Sequence, residues 1–343
     1  MKLFKTYRGN KIKITQVFKR LKFRQKLLYL LWPLVLILLL TQNFFTLLDF
    51  GDYKMAAISH DLTMHMKIEF ENYLIPVETL INGLVTNVEQ MMDEGSSAKD
   101  IEDYLVRQTD LLTGEFAKDT TGLYGYINGT YVDGAHWVPP EDYDPEKRDW
   151  YLETVAAGGR IAYVAPYIDA QSGDSSVTVS RLLKDGKSVI ALDLKVTSLQ
   201  RIVDTLMNEG EVDENDKNAA KYKKSSLGGA EGKYILILDN SGKIVVHTDR
   251  SMVGINIYKK NIEPYTSIVE HVLKQKERQF DVKFDGNHDS LSTVDINRDW
   301  IAIAAVDYYD TFGGIIHVTV YTAVISVAVI IILTLSLPCP VDT

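Results

Sequence analysis

Apolar and polar positions change their rhythm four times along the chain. Residues 27–48 (LLYLLWPLVLILLLTQNFFTLL) carry no charge, and as a helix these 22 residues would be about 33 Å long, enough to cross a ~30 Å hydrocarbon core. A second uncharged run extends over residues 312–341 and is most apolar over 315–337. Runs this long seldom lack charge inside a water-soluble domain, so transmembrane helices are predicted over 27–48 and 313–337. The first is read as an uncleaved anchor. Its basic lead and its apolar stretch are both long, and no small-x-small cleavage site follows.

Between these runs the period is first helical. Leu62, Met66, Phe70, Tyr73, Val77, Leu80, Leu84, Val88 and Met91 recur at steps of three and four, which predicts a long stalk helix over 50–95 with one apolar face. Pro76 interrupts this stripe, which resumes in phase, so a kink is expected there. A short helix over 99–112 follows, and then alternation takes over. Strands are predicted at 122–127 and 130–132 about the turn Asn128-Gly129, and at 160–167, 175–183 and 188–195. A helical piece near 149–157 and a helix over 198–207 complete a unit spanning 96–208. Residues 209–231 are polar and Gly/Ser-containing, a linker or long loop. A second unit over 232–310 repeats the order, with strands at 234–238, 243–247, 279–284, 290–295 and 300–307 and a helix over 262–276. The fold class is therefore α+β, with two antiparallel-sheet units behind a stalk helix, and the shared order suggests structural duplication without a residue-level repeat.

Charge gives this arrangement a sidedness. The 343-residue chain has a net charge of −9, yet residues 1–26 hold ten of its 37 Lys and Arg and no acid. All but one of the 46 acidic residues lie between Asp49 and Asp310. The positive-inside rule places the basic segment 1–26 in the cytoplasm and the acidic middle outside the plasma (inner) membrane. An acidic body excludes a general nucleic-acid binder, and the basic tip is read as a topogenic segment beside anionic lipid. Only a short tail, 338–343, follows the second run. A protein so built needs a partner or a longer chain to pass on a signal.

Enzyme signatures are weak. The single cysteine, Cys339, excludes a disulfide framework or a cysteine-based zinc site. The seven histidines form no metal-binding spacing, no phosphate loop or nucleophile elbow appears, and no cofactor is expected. The acidic stretch Glu211–Asp216 lacks the glycine and terminal glutamate of an EF-hand and reads as a solvated loop.

One segment stands apart. Residues 142–151 (DYDPEKRDWY) set Tyr143, Trp150 and Tyr151 around Arg148. A guanidinium fork suits a carboxylate, and indole and phenol groups supply oriented donors with apolar walls. Downstream, Tyr167 and Asp169 lie in APYID, and Asp193 interrupts an otherwise apolar strand, where a carboxylate must be paired with a cation or awaiting one. A carboxylate-seeking arginine and a cation-seeking aspartate make a pocket for a zwitterion. They equally make an internal Arg148–Asp193 salt bridge tying a helix to the sheet, in which case the protein is a non-enzymatic envelope binding or scaffold protein.

On these residues, and on the order anchor, stalk helix, two PAS-like units and second span, the sequence resembles the double Cache extracytoplasmic sensor domains of bacterial transmembrane receptors, in their amino-acid-binding subgroup. The resemblance covers most of residues 50–310. It implies that Tyr143, Arg148 and Trp150 hold the α-carboxylate of an amino acid and that Tyr151 and Asp193 hold its α-amino group. Tyr167 and Asp169 are implied as further pocket residues, and a homodimer along the stalk is implied as well. The implied function is a membrane-anchored sensor for a small zwitterionic ligand, with a carboxylate or an amine as the alternative. No output domain such as a histidine kinase or a diguanylate cyclase is present in the sequence, and the proline that often follows the last strand of the second unit is absent.

Overall fold

A computed structural model describes residues 23–112, 118–208, 233–308 and seven positions between 320 and 328. Residues 54–311 make up one unit and the flanking segments another. The linker 209–231, the tail 338–343, and most of the basic segment 1–26 and of the run 313–337 lie outside the described residues. Among the described residues no helix is long and apolar enough to cross a membrane.

Helix α1 (Phe23–Asp93) continues through Pro76, which lies on its exposed face. Its predicted stripe is what it buries. Leu62, Met66, Phe70, Val77, Leu84 and Val88 are at most 4% exposed, and Tyr73, Leu80 and Met91 pack beside them. Complete burial of one such side chain is worth roughly 1.5–3 kcal/mol, so tertiary packing rather than helix propensity holds this face in place. Gly95, at φ +83, turns the chain. Ser97 then opens α2 (Ala98–Asp110) with a capping box, its hydroxyl accepting from Asp100 N while the Asp100 carboxylate accepts from Ser97 N at 2.8 Å.

The first sheet contains β1 (Thr120–Ile127), β2 (Thr130–Asp133), β3 (Ile161–Ile168), β4 (Ser175–Leu182) and β5 (Val189–Lys195), in the order β2-β1-β5-β4-β3 with antiparallel pairing throughout. Asn128 (φ 50) and Gly129 (φ 82) close the β1–β2 hairpin with the two left-handed residues that a tight hairpin turn requires. Helix α3 (Asp149–Ala157) covers one face of the sheet, and α4 (Val196–Asn208) follows β5. The second sheet is built from β6 (Lys233–Asp239), β7 (Ile244–His247), β8 (Gln279–Phe284), β9 (Asn287–Asp295) and β10 (Trp300–Asp307). Its order, β7-β6-β10-β9-β8, is that of the first sheet, which gives the expected duplication a definite form.

Period-2 alternation sorts the side chains into three cores. Ile190, Leu192 and Leu194 of β5 join Ile235, Ile237, Ala302 and Ala304 of the second sheet in the cluster that packs on α1. Leu236, Leu238, Ile301 and Ile303 point the other way, into a core closed by α5 (Ile257–Lys260) and α6 (Tyr265–Val269). Val189 and Ala191 of β5 join Tyr124, Trp150 and Val164 in the third. The single helix expected over 262–276 is shorter than predicted. Its α-helical part, α6, begins after Pro264 and runs into a π-helical turn, Glu270–Gln275, ended by Lys276 at φ 60. The sequence reading also missed α5, which Asn256 caps and Asn261 stops at φ 48.

Candidate ligand site

The third core opens into a cavity lined by Thr121, Tyr124, Tyr131, Trp137, Tyr143, Arg148, Trp150, Tyr167, Asp169, Gln171 and Asp193. Asp193 occupies its floor. It follows Val189 and Ala191 on the same face of β5, so the strand's own alternation aims it away from α1 and into the cavity. Only 2% exposed, its carboxylate accepts from Tyr124 OH at 2.6 Å, Tyr167 OH at 2.7 Å and Thr178 Oγ1 at 2.7 Å. Burial pushes its pKa up to about 6, against the opposing pull of the three hydroxyls. Among the described residues no cation reaches it and no ion pair joins it to Arg148.

Arg148 lies on the opposite wall. Its backbone is extended (φ −86, ψ 144) and serves as N-cap of α3 after the 3₁₀ turn Pro145–Lys147, which Asp144 caps. The guanidinium lies 5.4 Å from the centre of the Tyr143 ring, and no carboxylate among the described residues pairs with it. Trp150, 1% exposed, donates its indole N–H to Tyr143 OH at 3.1 Å, which leaves the phenol proton of Tyr143 free to be donated onward. Tyr124, Tyr131, Trp137, Tyr143 and Trp150 meet edge to face or tilted, with ring centres 5.1–6.1 Å apart, and form a continuous aromatic wall.

Six of the seven residues singled out from sequence, Tyr143, Arg148, Trp150, Tyr167, Asp169 and Asp193, therefore line one cavity. Tyr151 does not. Because Arg148 is extended rather than helical, the two side chains part company, and Tyr151 packs edge-on to Tyr126 while its hydroxyl donates to Lys187 O at 3.0 Å. Asp169 is on the cavity wall, but its carboxylate is engaged with its own loop, accepting from Gln171 N, Ser172 N and Ser172 Oγ at 2.6–3.2 Å.

Several contributors lie outside these seven residues. Thr178 faces Asp193 across the β4–β5 pair, a position fixed by register rather than by any motif. Tyr131 donates to Asp133 at 3.0 Å, and Asp133, 2% exposed, also accepts from Ala135 N at 2.7 Å and Trp137 N at 3.0 Å. That buried carboxylate holds Trp137 over the cavity. The one legible signal was the acid at the end of the short strand β2. The enclosed space is ≈ 10 Å³, about what one water needs.

No group of three or more His, Cys, Asp or Glu among the described residues is arranged to hold a metal ion. No family model matches the chain. Among curated proteins, the chain is 41% identical to methyl-accepting chemotaxis protein McpB of Bacillus subtilis over 75 residues, 22% of this chain and 11% of that protein. It is 22% identical to McpC of the same organism over 295 residues, 80% of this chain and 41% of that protein. The chain thus matches well under half the length of these relatives. Among solved structures, the ligand-binding domain of the Pseudomonas aeruginosa amino-acid chemoreceptor PctB, in complex with L-Gln, superposes with a TM-score of 0.54 at 18% identity, covering 74% of this chain and 92% of that domain. The ligand-binding domain of Pseudomonas fluorescens chemoreceptor CtaA, in complex with L-isoleucine, gives 0.54 at 16% identity, covering 80% and 98%. At these identities the likeness is one of fold: the described region shares the fold of these ligand-binding domains, and its two sheets of identical strand order behind one long helix fit the double Cache architecture that the sequence resembles.

Proposed function

We propose that the chain is the sensor region of a membrane-anchored chemoreceptor and that its first sheet unit binds a free amino acid. The observation that carries this reading is the pairing, in one cavity, of a buried carboxylate with a guanidinium: among the described residues the first is served only by hydroxyls and the second has no acid partner. The α-ammonium is the cation that Asp193 lacks, and the α-carboxylate is the anion that Arg148 and the free phenol proton of Tyr143 await. The internal salt bridge required by the scaffold reading is not formed. PctB and CtaA were solved with L-Gln and with L-isoleucine, which supports the same ligand class.

An amino acid is several times larger than a water, so binding displaces the aromatic wall and the 133–148 loop. The ligand then stabilises whichever arrangement accommodates it, and the population shifts accordingly. The anchoring spans are residues 27–48 and 313–337. Leu31, Leu34, Ile37 and Leu38, 46–64% exposed, suit a lipid-facing surface, as do Val320, Val324 and Ile325. The first sheet unit, 96–208, is the membrane-distal one, joined by the linker 209–231 to the membrane-proximal unit, 232–310. A homodimer forms along α1, where Ile68 and Ile75, two turns apart and about half exposed, supply an apolar edge. The sensor unit performs no catalysis of its own, and its output lies in a cytoplasmic region or partner.

Calorimetric titration of the purified chain in detergent with the twenty amino acids tests this. Saturable binding of one or more, lost in Asp193→Ala and Arg148→Ala and not reproduced by the matching amine or carboxylate alone, is expected. Binding that survives both substitutions would refute the zwitterion pocket.

A further inference from the structure

The second sheet unit carries a separate cavity of ≈ 550 Å³, lined by Lys67 of α1, Lys276, Arg278, Asn297 and Arg298, with Asp295 its sole carboxylate. Four cations around one acid contrast with a chain of net charge −9. Their commitments are unequal. Arg278 is satisfied, since both of its terminal nitrogens donate to the Asp295 carboxylate, at 2.9 and 2.5 Å. Lys67 donates to Asp295 O at 3.0 Å and faces Glu71 at 3.3 Å. Among the described residues Lys276 and Arg298 make no side-chain hydrogen bond or ion pair, and act on Asp295 and Asp299 only through space.

A second observation points the same way. Asn297 sits in the turn between β9 and β10, where its Oδ1 accepts from Asp299 N at 2.9 Å and Trp300 N at 2.8 Å. Those two bonds fix the amide, and its Nδ2 is buried without an acceptor. A buried donor left unmade costs about 1–3 kcal/mol, which an incoming oxygen atom would recover. Two cations held in no ion pair and one orphaned donor around a single cavity are the requirements of an oxyanion: charge to neutralise it and a directed N–H to orient it.

We propose that this cavity is an anion site and that it takes a small oxyanion of two or more negative charges, such as inorganic phosphate or a di- or tricarboxylate, independently of the amino-acid cavity. Lys276 and Arg298 supply the charge, Asn297 Nδ2 supplies the directed donor, and the Arg278–Asp295 pair holds the wall. The site is built from α1 and the second sheet, so an anion bound here bears on the same helix that packs against the first.

The test is calorimetric titration of the full chain in detergent, at fixed pH and ionic strength, with inorganic phosphate and with citrate, and with chloride as the control. Saturable one-to-one binding of phosphate or citrate and none of chloride is expected. Which of the two binds separates a phosphate site from a carboxylate site. Lys276→Asn with Arg298→Ser, which preserves a residue tolerant of positive φ at position 276, should weaken that binding at least tenfold. Asn297→Asp keeps the acceptor for the two backbone N–H groups and should weaken it comparably by placing a negative charge where the donor stood. No saturable heat with either oxyanion, or equal affinity in wild type and variants, would overturn the proposal.

Discussion

Thr178 and Asp193 face each other across the β4–β5 pair, and the threonine hydroxyl donates to the buried carboxylate at 2.7 Å. With Tyr124 and Tyr167 it surrounds an anion with hydroxyl dipoles, which stabilise charge but do not neutralise it. Burial outweighs these hydrogen bonds, and the carboxyl sits at about 6, above the ~3.9 usual for aspartate. Between about pH 4 and pH 6 the folded chain binds more protons at this group than the unfolded chain does. Its contribution to stability therefore rises as pH falls through that window, by about 3 kcal/mol in all. Denaturant melts at pH 4–7 check this. The wild type minus Asp193→Asn difference should carry the slope, because Glu153, at about 7, and Asp289, at about 6, titrate nearby in both proteins.

Amino-acid affinity should follow the opposite course. An ammonium pairs with the ionised form of Asp193, so affinity is constant above pH 7 and falls below pH 6, approaching tenfold per pH unit. Calorimetric titrations at pH 5, 6 and 7.5 read this directly, and a flat profile would remove Asp193 from contact with the ligand amine.

Arg148 should be dispensable for folding and indispensable for binding. Its guanidinium pairs with no carboxylate among the described residues, so Arg148→Ala should change stability by less than about 1 kcal/mol while lowering amino-acid affinity at least tenfold. Arg148→Lys should restore little, since a single ammonium does not reproduce a planar two-pronged donor.

Tyr151 and Tyr167 provide a paired contrast. Tyr167→Phe removes a donor to the buried carboxylate and should weaken binding severalfold. Tyr151→Phe removes only a bond to Lys187 O, outside the cavity, and should leave affinity within twofold of wild type. Equal losses in the two variants would mean that Tyr151 reaches the ligand after all.

Asp133→Ala should act on the loop. It deletes the acceptor of Ala135 N, Trp137 N and Tyr131 OH, with an expected stability loss of roughly 1–3 kcal/mol and faster amide exchange over residues 133–137. Gly134→Ala should destabilise through a different route, since a β-carbon there would stand 2.7 Å from Leu105 O and 2.8 Å from Leu123 O.

Much of this architecture was written in local pattern. The three-and-four spacing of α1 named its buried face, and Asn128-Gly129 named the hairpin, because both signals depend only on neighbours in sequence. Asp193 was conspicuous because one charge in an apolar strand demands a partner wherever the strand lies. The hydrogen-bond partners of Thr178 and Tyr131 were not legible, since they come from cross-strand register and from a loop folding back, and neither leaves a trace within a few residues. Tyr151 parts from Arg148 through a single backbone torsion: a helical turn would set the two on adjacent faces, whereas the ψ of 144 at Arg148 separates them. The short α5 went unread because Asn256 and Asn261 bracket only four residues, too few to show a period.

In both sheets the strand made last is the one in the middle. During synthesis, β1–β2 and β3–β4 can each form as a hairpin, but nothing joins them until β5 has left the ribosome. Asp193 lies on that final strand, and its three hydroxyl donors come one each from β1, β3 and β4. Closure of the sheet and assembly of the charged floor are thus one event. A nascent chain stalled before residue 189 has neither, and one released past residue 195 acquires both together.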